Sequence, residues 1–332
     1  MTSRITIVAE AAQGFEGDPT QARLLARAAA ASGADLVKFQ LVFADELALP
    51  GYKYFDLFRT LEMPDSAWHD VRTEASNKGV GLVFDVFGER SLELALKLNA
   101  HAIKIHATDF FNDALVAATL KQAKEVHLSL GGIEADELEA FLARHARHGT
   151  DKIVLLTGYQ AEPTPIEVNN LARLAGMKAR FPRQRIGWMD HADGSTDEAS
   201  WLGVLAIPYG ISVLEKHITL ARPLELEDGV SALDPEAMKH YVRRVRQAEL
   251  AIGTASLQLT PEEKGYRRRA LKSVVALRAL RAGEPVSADA LVLKRVVLDD
   301  TGYPLHQLER AVGRKLSRDV AAGGAIYEGD IT

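Results

Sequence analysis

Short apolar runs alternate with amphipathic helical stretches from residue 5 to about residue 253. The runs Ile5–Ala9, Leu36–Gln40, Gly81–Val86, Ala102–Ile105, Glu125–Ser129, Ile153–Leu156, Arg185–Met189 and Val213–Ile218 predict eight buried strands. Helices are predicted between them, near 20–32, 65–78, 90–98, 112–122, 134–147, 167–179 and 196–207, with an eighth near 235–252. Asp18-Pro19, Pro64-Asp65 and Asp234-Pro235 pair an acid with a proline at helix entries, and Gly33 and Gly79 stand where helices should stop. Eight strand–helix units over ~250 residues predict an α/β chain closed into a (β/α)8 barrel. A doubly wound open sheet is the rival, but it has fewer strands and a glycine-rich first turn, which this chain lacks.

The texture changes after Gly253. Residues 254–269 are polar, with the basic run Arg267-Arg268-Arg269, and predict a linker helix or loop with a solvated face. From Ala270 to the end, short β-rich pieces (Ser273–Leu277, Leu291–Val297) alternate with tight turns such as Arg281-Ala282-Gly283-Glu284. A unit of ~60 residues buries little core by itself and is expected to dock on something. The expected layout is therefore a barrel over 1–253, a linker over 254–269 and a β-rich domain over 270–332.

Composition narrows the function. A net charge of −5 over 332 residues is mild and evenly spread, giving no basis for a nucleic-acid or membrane surface. The absence of cysteine excludes disulfides, thiolate metal sites and thiol nucleophiles. No apolar run approaches the ~20 residues that span a bilayer. The first strand begins almost at once, without a leader pattern, so a soluble, cytoplasmic protein is expected.

The polar residues fall at the ends of the predicted strands. Glu10 follows the first; Lys38 and Gln40 end the second; Asp85 ends the third; Lys104 and His106 end the fourth. Ser129 ends the fifth, Gln160 lies in the loop after the sixth, His191 ends the seventh, and Glu215 and His217 end the eighth. One such residue means little, but a full ring of them converges on the C-terminal mouth where barrel enzymes keep their chemistry. Along Val213–Thr219, period-two alternation sends Glu215 and His217 to one side and Lys216 to the other. Taken alone, that stretch also fits a buried histidine satisfied by a carboxylate. With Asp190-His191 added, two histidines each beside an acid look like two ligands and an outer shell for one divalent metal.

In their order along the chain, these motifs resemble those of the sialic acid synthase family, which condenses phosphoenolpyruvate with an amino sugar. The resemblance runs through Ile7-Val8-Ala9-Glu10, Glu16-Gly17-Asp18, Gly33 to Gln40, Ile103-Lys104-Ile105, Asp190-His191 and Glu215-Lys216-His217. The C-terminal piece is similar to the family's antifreeze-like (SAF) domain, from Lys272-Ser273-Val274 through Lys294-Arg295 to Gly313-Arg314. The resemblance implies a TIM barrel followed by that domain, in a domain-swapped homodimer whose small domain caps the partner's active site. It implies that His191 and His217 hold Mn2+ or Mg2+, and that Lys38, Lys104 and Ser129 hold phosphoenolpyruvate. Glu10, Glu215 and Asp228 match acidic positions at the sugar and the reacting carbons, with Lys104 counted among the catalytic groups. Gln40, Asp109 and Gln160 are expected to touch substrate, and Arg295 is expected to reach the acceptor sugar, a hexosamine-type aldehyde, in the partner's barrel.

Those residue types suit the implied chemistry. Two lysines offset the carboxylate and phosphate of the donor, while a divalent metal polarises the aldehyde attacked by the enol carbon. The chain also departs from the family pattern: Gly14-Phe15 replaces an Asn-His pair, Asp85 a threonine, His106-Ala107-Thr108-Asp109 a Ser/Gly-rich stretch, and Met189 a serine. Gly158-Tyr159-Gln160-Ala161-Glu162-Pro163-Thr164 stands where the family has an Asn-containing loop before a Tyr-Pro-Thr. These differences suggest a divergent branch with a different acceptor. The alternative is another metal-dependent aldolase or sugar-acid enzyme on the same barrel that does not use phosphoenolpyruvate.

Overall fold

The computed structural model describes residues 4–298 and 302–332. Eight parallel strands close into a barrel in chain order, with the first pairing both the second and the eighth. They are β1 (Thr6–Ala12), β2 (Leu36–Gln40), β3 (Gly81–Val86), β4 (Ala102–Ile105), β5 (Val126–Ser129), β6 (Ile153–Thr157), β7 (Arg185–Asp190) and β8 (Val213–His217). The helices around them are α1 (Pro19–Ser32), α2 (Asp65–Lys78), α3 (Glu89–Lys97), α4 (Asp113–Gln122), α5 (Ala135–His145), α6 (Arg173–Arg180) and α7 (Pro235–Ile252). Two shorter helices, Ala44–Leu47 and Phe55–Leu61, fill the long connection after β2.

Period two along each strand sorts the side chains into two cores. Ile7, Ala9, Val37, Phe39, Phe84, Ile103, Leu128, Trp188 and Leu214 face outward into the layer shared with the helices. Phe15, Phe39, Trp68 and Phe84 meet edge to face there, with Phe15 and Trp68 centroids 5.2 Å apart, and fasten β1–β3 to α2. Val8, Leu36, Val83, Ala102, Val154, Leu156, Met189 and Val213 form a separate cluster inside the barrel. One pleat further toward the C-terminal ends, the inward positions become Glu10, Lys38, Asp85, Lys104 and Glu215, all buried. The apolar plug closes the barrel floor, and the polar layer becomes the floor of the mouth.

Two predicted helices take other forms. Residues 196–207 contain 3-10 turns, Glu198–Ser200 and Leu202–Tyr209, instead of an α-helix. Pro208 removes a backbone donor there, and Gly203 lies so close to Tyr241 that a Cβ would sit 2.0 Å from its hydroxyl. The helix expected over 167–179 is confined to α6, because Asn170 adopts a left-handed φ of 45° and breaks the run. The chain divides into compact units after Thr254. Residues 255–269 of the expected linker therefore fall in the second unit, where Thr260 and Glu263 cap a further helix, α8 (Pro261–Ala270). That unit also holds an antiparallel pair, β9 (Ser273–Ala276) and β10 (Leu291–Lys294), around a small core that includes Val274, Leu280, Leu291, Leu305 and Ile326. Among the described residues, no helix is long and apolar enough to cross a membrane.

Candidate active site

The polar layer opens into a cavity of about 210 Å³ at the C-terminal mouth of the barrel. Of the residues singled out by sequence, Glu10, Lys38, Gln40, Lys104, Gln160, His191, Glu215, His217 and Asp228 line it. Parallel pairing sets Glu10 beside Lys38 and His217, and Asp85 beside Lys104. The Lys38 ammonium contacts the Glu10 carboxylate and lies 3.0 Å from Asp85 and 3.3 Å from Glu215. Lys104 donates to the same Glu215 oxygen at 2.7 Å. The second Glu215 oxygen and one Asp85 oxygen are buried without a hydrogen-bond partner.

These pairings set the charges. Burial lowers Lys38, against the pull of Asp85 and Glu215. Burial would also lower Lys104, but Glu215 and Asp85 outweigh it and push its pKa up to about 12. Glu215 is the mirror case: burial raises it, and Lys104 and Lys38 hold it well below the ordinary carboxylate range. It is therefore an anion at neutral pH.

His191 and His217 face each other across the mouth with ring centroids 5.1 Å apart. Burial lowers His191 to about 4, and burial together with the neighbouring His191 lowers His217 well below its usual value. Both imidazoles are neutral at pH 7, the form that ligates metals. His191 Nδ1 is buried without a partner. Glu162, missed in the sequence, completes the group: its carboxylate lies 3.7 Å from His217 Nε2, and the three donor atoms lie within 4.8 Å of one another. Burial, and then the Asp228 carboxylate beside it, raise Glu162 to about 8. Two imidazoles and a carboxylate are a donor set that suits a divalent cation.

Glu162 reaches the mouth because its loop is stitched to β7. The Thr164 amide donates to the His191 carbonyl at 2.9 Å, and its hydroxyl donates to Tyr159 and Ala161 carbonyls at 2.8 and 2.9 Å. Gly158 permits the approach, since a Cβ there would lie 2.4 Å from the Met189 carbonyl. Nothing periodic in the sequence marks the loop; its one local signal is an acid before Pro163. His106 and Asp85 also line the cavity without having been assigned a role.

Three expected site residues lie off the cavity wall. Ser129 is buried beside it and accepts a 3.1 Å hydrogen bond from Gln160. Asp109 ends the 3-10 turn Ala107–Asp109, where Thr108 and Asn112 take its carboxylate at 3.2 and 3.0 Å. Arg295 follows β10, exposed, with its Nε donating to the Ala270 carbonyl at 3.1 Å. The acid beside His191 is not its outer shell. Alternation turns Asp190 to the opposite face, where it accepts from Lys216 at 3.2 Å, Tyr241 at 3.4 Å and the Ala192 amide at 3.0 Å.

Comparison with known proteins identifies the family. Residues 25–256 match the model of the NeuB family, and residues 272–332 match the SAF domain. The chain belongs to the NeuB family. It is an enzyme of the synthase type, built from the NeuB barrel and a SAF domain. It is 28% identical to a pseudaminic acid synthase of Campylobacter jejuni over 98% of this chain and 96% of that protein. It is also 28% identical to the human N-acetylneuraminate-9-phosphate synthase, covering 97% of this chain and 91% of that one. Among solved structures, the N-acetylneuraminic acid synthetase of Leptospira borgpetersenii shares the fold at a TM-score of 0.73 and 22% identity, covering 81% of this chain and 93% of that chain.

Proposed function

We propose that this NeuB-family enzyme condenses phosphoenolpyruvate with a hexosamine-type aldehyde, giving a sialic acid-like 3-deoxy-2-keto sugar acid and phosphate. The observation that carries this reading is the meeting of Lys38 and Lys104 with Glu10, Glu215 and the His191–His217 pair in one cavity. In the proposed site Lys38 and Lys104 bind the donor's carboxylate and phosphate, exchanging part of their pairing with Glu10, Asp85 and Glu215 for the ligand. Asp228, Gln40 and Gln160 at the rim are polar partners for acceptor hydroxyls. A divalent cation, Mn2+ or Mg2+, held by His191 and His217 would act as Lewis acid on the aldehyde oxygen. The donor's methylene carbon bonds to the aldehyde carbon, water adds to the donor's second carbon, and the C–O bond to phosphate breaks.

Glu10 suits the proton taken from that water. Its Oε1 accepts the Ala12 amide at 2.6 Å while its other oxygen contacts Lys38, so its carboxylate is held in place. The enzyme is further proposed to be a cytoplasmic, domain-swapped homodimer in which Arg295 serves the partner's acceptor site. The decisive assay is phosphate release from phosphoenolpyruvate with Mn2+ and a panel of hexosamines. Release that depends on one of the sugars supports the proposal; none with any sugar refutes it.

One observation favours a second reading. The cavity wall carries the acidic residues Glu10, Asp85, Glu215 and Asp228, besides Glu162, against two lysines, and Asp85 already pairs Lys38. That balance disfavours a trianionic donor and favours an aldolase using an unphosphorylated one such as pyruvate. Sugar-dependent consumption of pyruvate, supplied in place of phosphoenolpyruvate with the same sugars and Mn2+, would establish it.

A further inference from the structure

We infer that Glu162 is a third protein ligand of the cation held by His191 and His217, and that this set selects a first-row transition ion over Mg2+. The inference rests on the proposed metal site but not on the proposed reaction. A metal-binding measurement therefore tests it even if phosphoenolpyruvate proves not to be the donor.

The geometry is nearly that of a loaded site. With metal–ligand bonds of ~2.0–2.2 Å, two donors sharing one cation lie roughly 3 to 4.3 Å apart. Here the three donor atoms lie within 4.8 Å of one another, and Glu162 is 3.7 Å from His217 Nε2. Side-chain adjustment of a fraction of an ångström closes the set. Among the described residues this is the one group of at least three histidine or acidic side chains so arranged. Its parts are fixed relative to each other: Thr164 ties the loop carrying Glu162 to the carbonyl of His191 itself, at 2.9 Å. Glu215, whose Oε1 accepts from both Lys104 and Lys38, is not part of that group.

The donor types decide the metal class. Mg2+ is a hard ion that keeps its waters and takes oxygen ligands, so two imidazoles serve it poorly. Imidazole nitrogens favour Mn2+, Fe2+, Co2+ and Zn2+, progressively more along the row, and a carboxyl group that gives up its proton to the cation adds affinity for any of them. Three protein ligands still leave positions open for substrate and water.

The test uses the full-length, metal-stripped protein, with free Mn2+ counted by electron paramagnetic resonance during titration, Mg2+ added in competition, and Co2+ substituted for its visible spectrum. Mn2+ should bind at least about 100-fold more tightly than Mg2+. Loss of an outer-shell partner already costs ~10–100-fold in metal affinity, so Glu162→Gln should weaken Mn2+ by 10-fold or more and alter the Co2+ bands. Asp228→Asn controls for charge alone: it removes the neighbouring carboxylate, and should change affinity less than about threefold with the Co2+ spectrum intact. Equal Mn2+ affinity in Glu162→Gln, or an equal loss and equal spectral change in Asp228→Asn, overturns the ligand assignment. Mg2+ competing within about threefold of Mn2+ on the unmodified protein overturns the metal class, whatever the variants do.

Discussion

Removing the ammonium of Lys216 tests how the barrel holds its two histidine-bearing strands. Lys216 and Asp190 are both essentially without solvent exposure and lie 3.2 Å apart on the outer face of β8 and β7. Lys216 also donates to the Ala192 carbonyl at 3.0 Å, and Tyr241 from α7 donates to Asp190 at 3.4 Å. Lys216→Met keeps the volume of the side chain but leaves the Asp190 carboxylate buried with the Tyr241 hydroxyl and the Ala192 amide as its remaining partners. Breaking a buried pair from one side costs ~3–5 kcal/mol. For a barrel of this size each kcal/mol moves Tm by roughly 2–4 °C, so a fall of roughly 6–20 °C is expected. Asp190→Asn in the same chain removes the stranded charge and should return more than half of that loss. Urea unfolding followed by circular dichroism on the single and double variants gives the cycle. A loss below ~1 kcal/mol for Lys216→Met, or additive effects in the double variant, would refute the view that this pair clasps β7 to β8.

Other predictions bear on the site and on pH. His217→Ala should abolish phosphate release while leaving the circular dichroism spectrum unchanged; normal turnover by that variant or by metal-stripped protein would remove the metal from the proposal. Arg295→Ala should raise the acceptor KM or lower kcat by roughly 10- to 100-fold, the worth of a charge-assisted hydrogen bond of ~1.5–3 kcal/mol, with the phosphoenolpyruvate KM nearly untouched. Mixed dimers of Arg295→Ala and His217→Ala chains should regain activity, since one of their two sites would be intact; no recovery places Arg295 outside a shared site. Glu125 is held down to about 2 because its contacts with His127 and Arg185 outweigh burial, which alone would raise it. A carboxylate whose folded pKa lies below its unfolded value of ~4.3 stabilises the protein above that value and loses the contribution as pH falls toward the folded one. The Tm of Glu125→Gln should therefore approach that of the parent between pH ~4.5 and 2, and parallel Tm–pH curves would contradict this.

Along each strand the sequence determined a great deal by itself, because period two is a local property of extended backbone. The eight apolar runs, the polar residues one pleat beyond most of them, and the sorting of Glu215 and His217 away from Lys216 are all legible without coordinates. Parallel closure in chain order then brings Glu10, Lys38, Lys104, His191, Glu215 and His217 together as the pattern implies. Where an outcome depends on contacts between distant segments, the sequence alone was not enough. Pro208 and the tight Gly203–Tyr241 contact turned a predicted helix into 3-10 turns, and Asn170 shortened another. Asp190 adjoins His191 in the chain yet works on the opposite face, with partners on β8 and α7 that local sequence does not place. Glu162 is the clearest case: its loop has no period, and its position is set by Thr164 bonding to the His191 carbonyl and by Gly158 packing on Met189. Periodicity fixes which side of a strand a residue faces, but only tertiary hydrogen bonding and close packing decide where an irregular loop delivers its carboxylate.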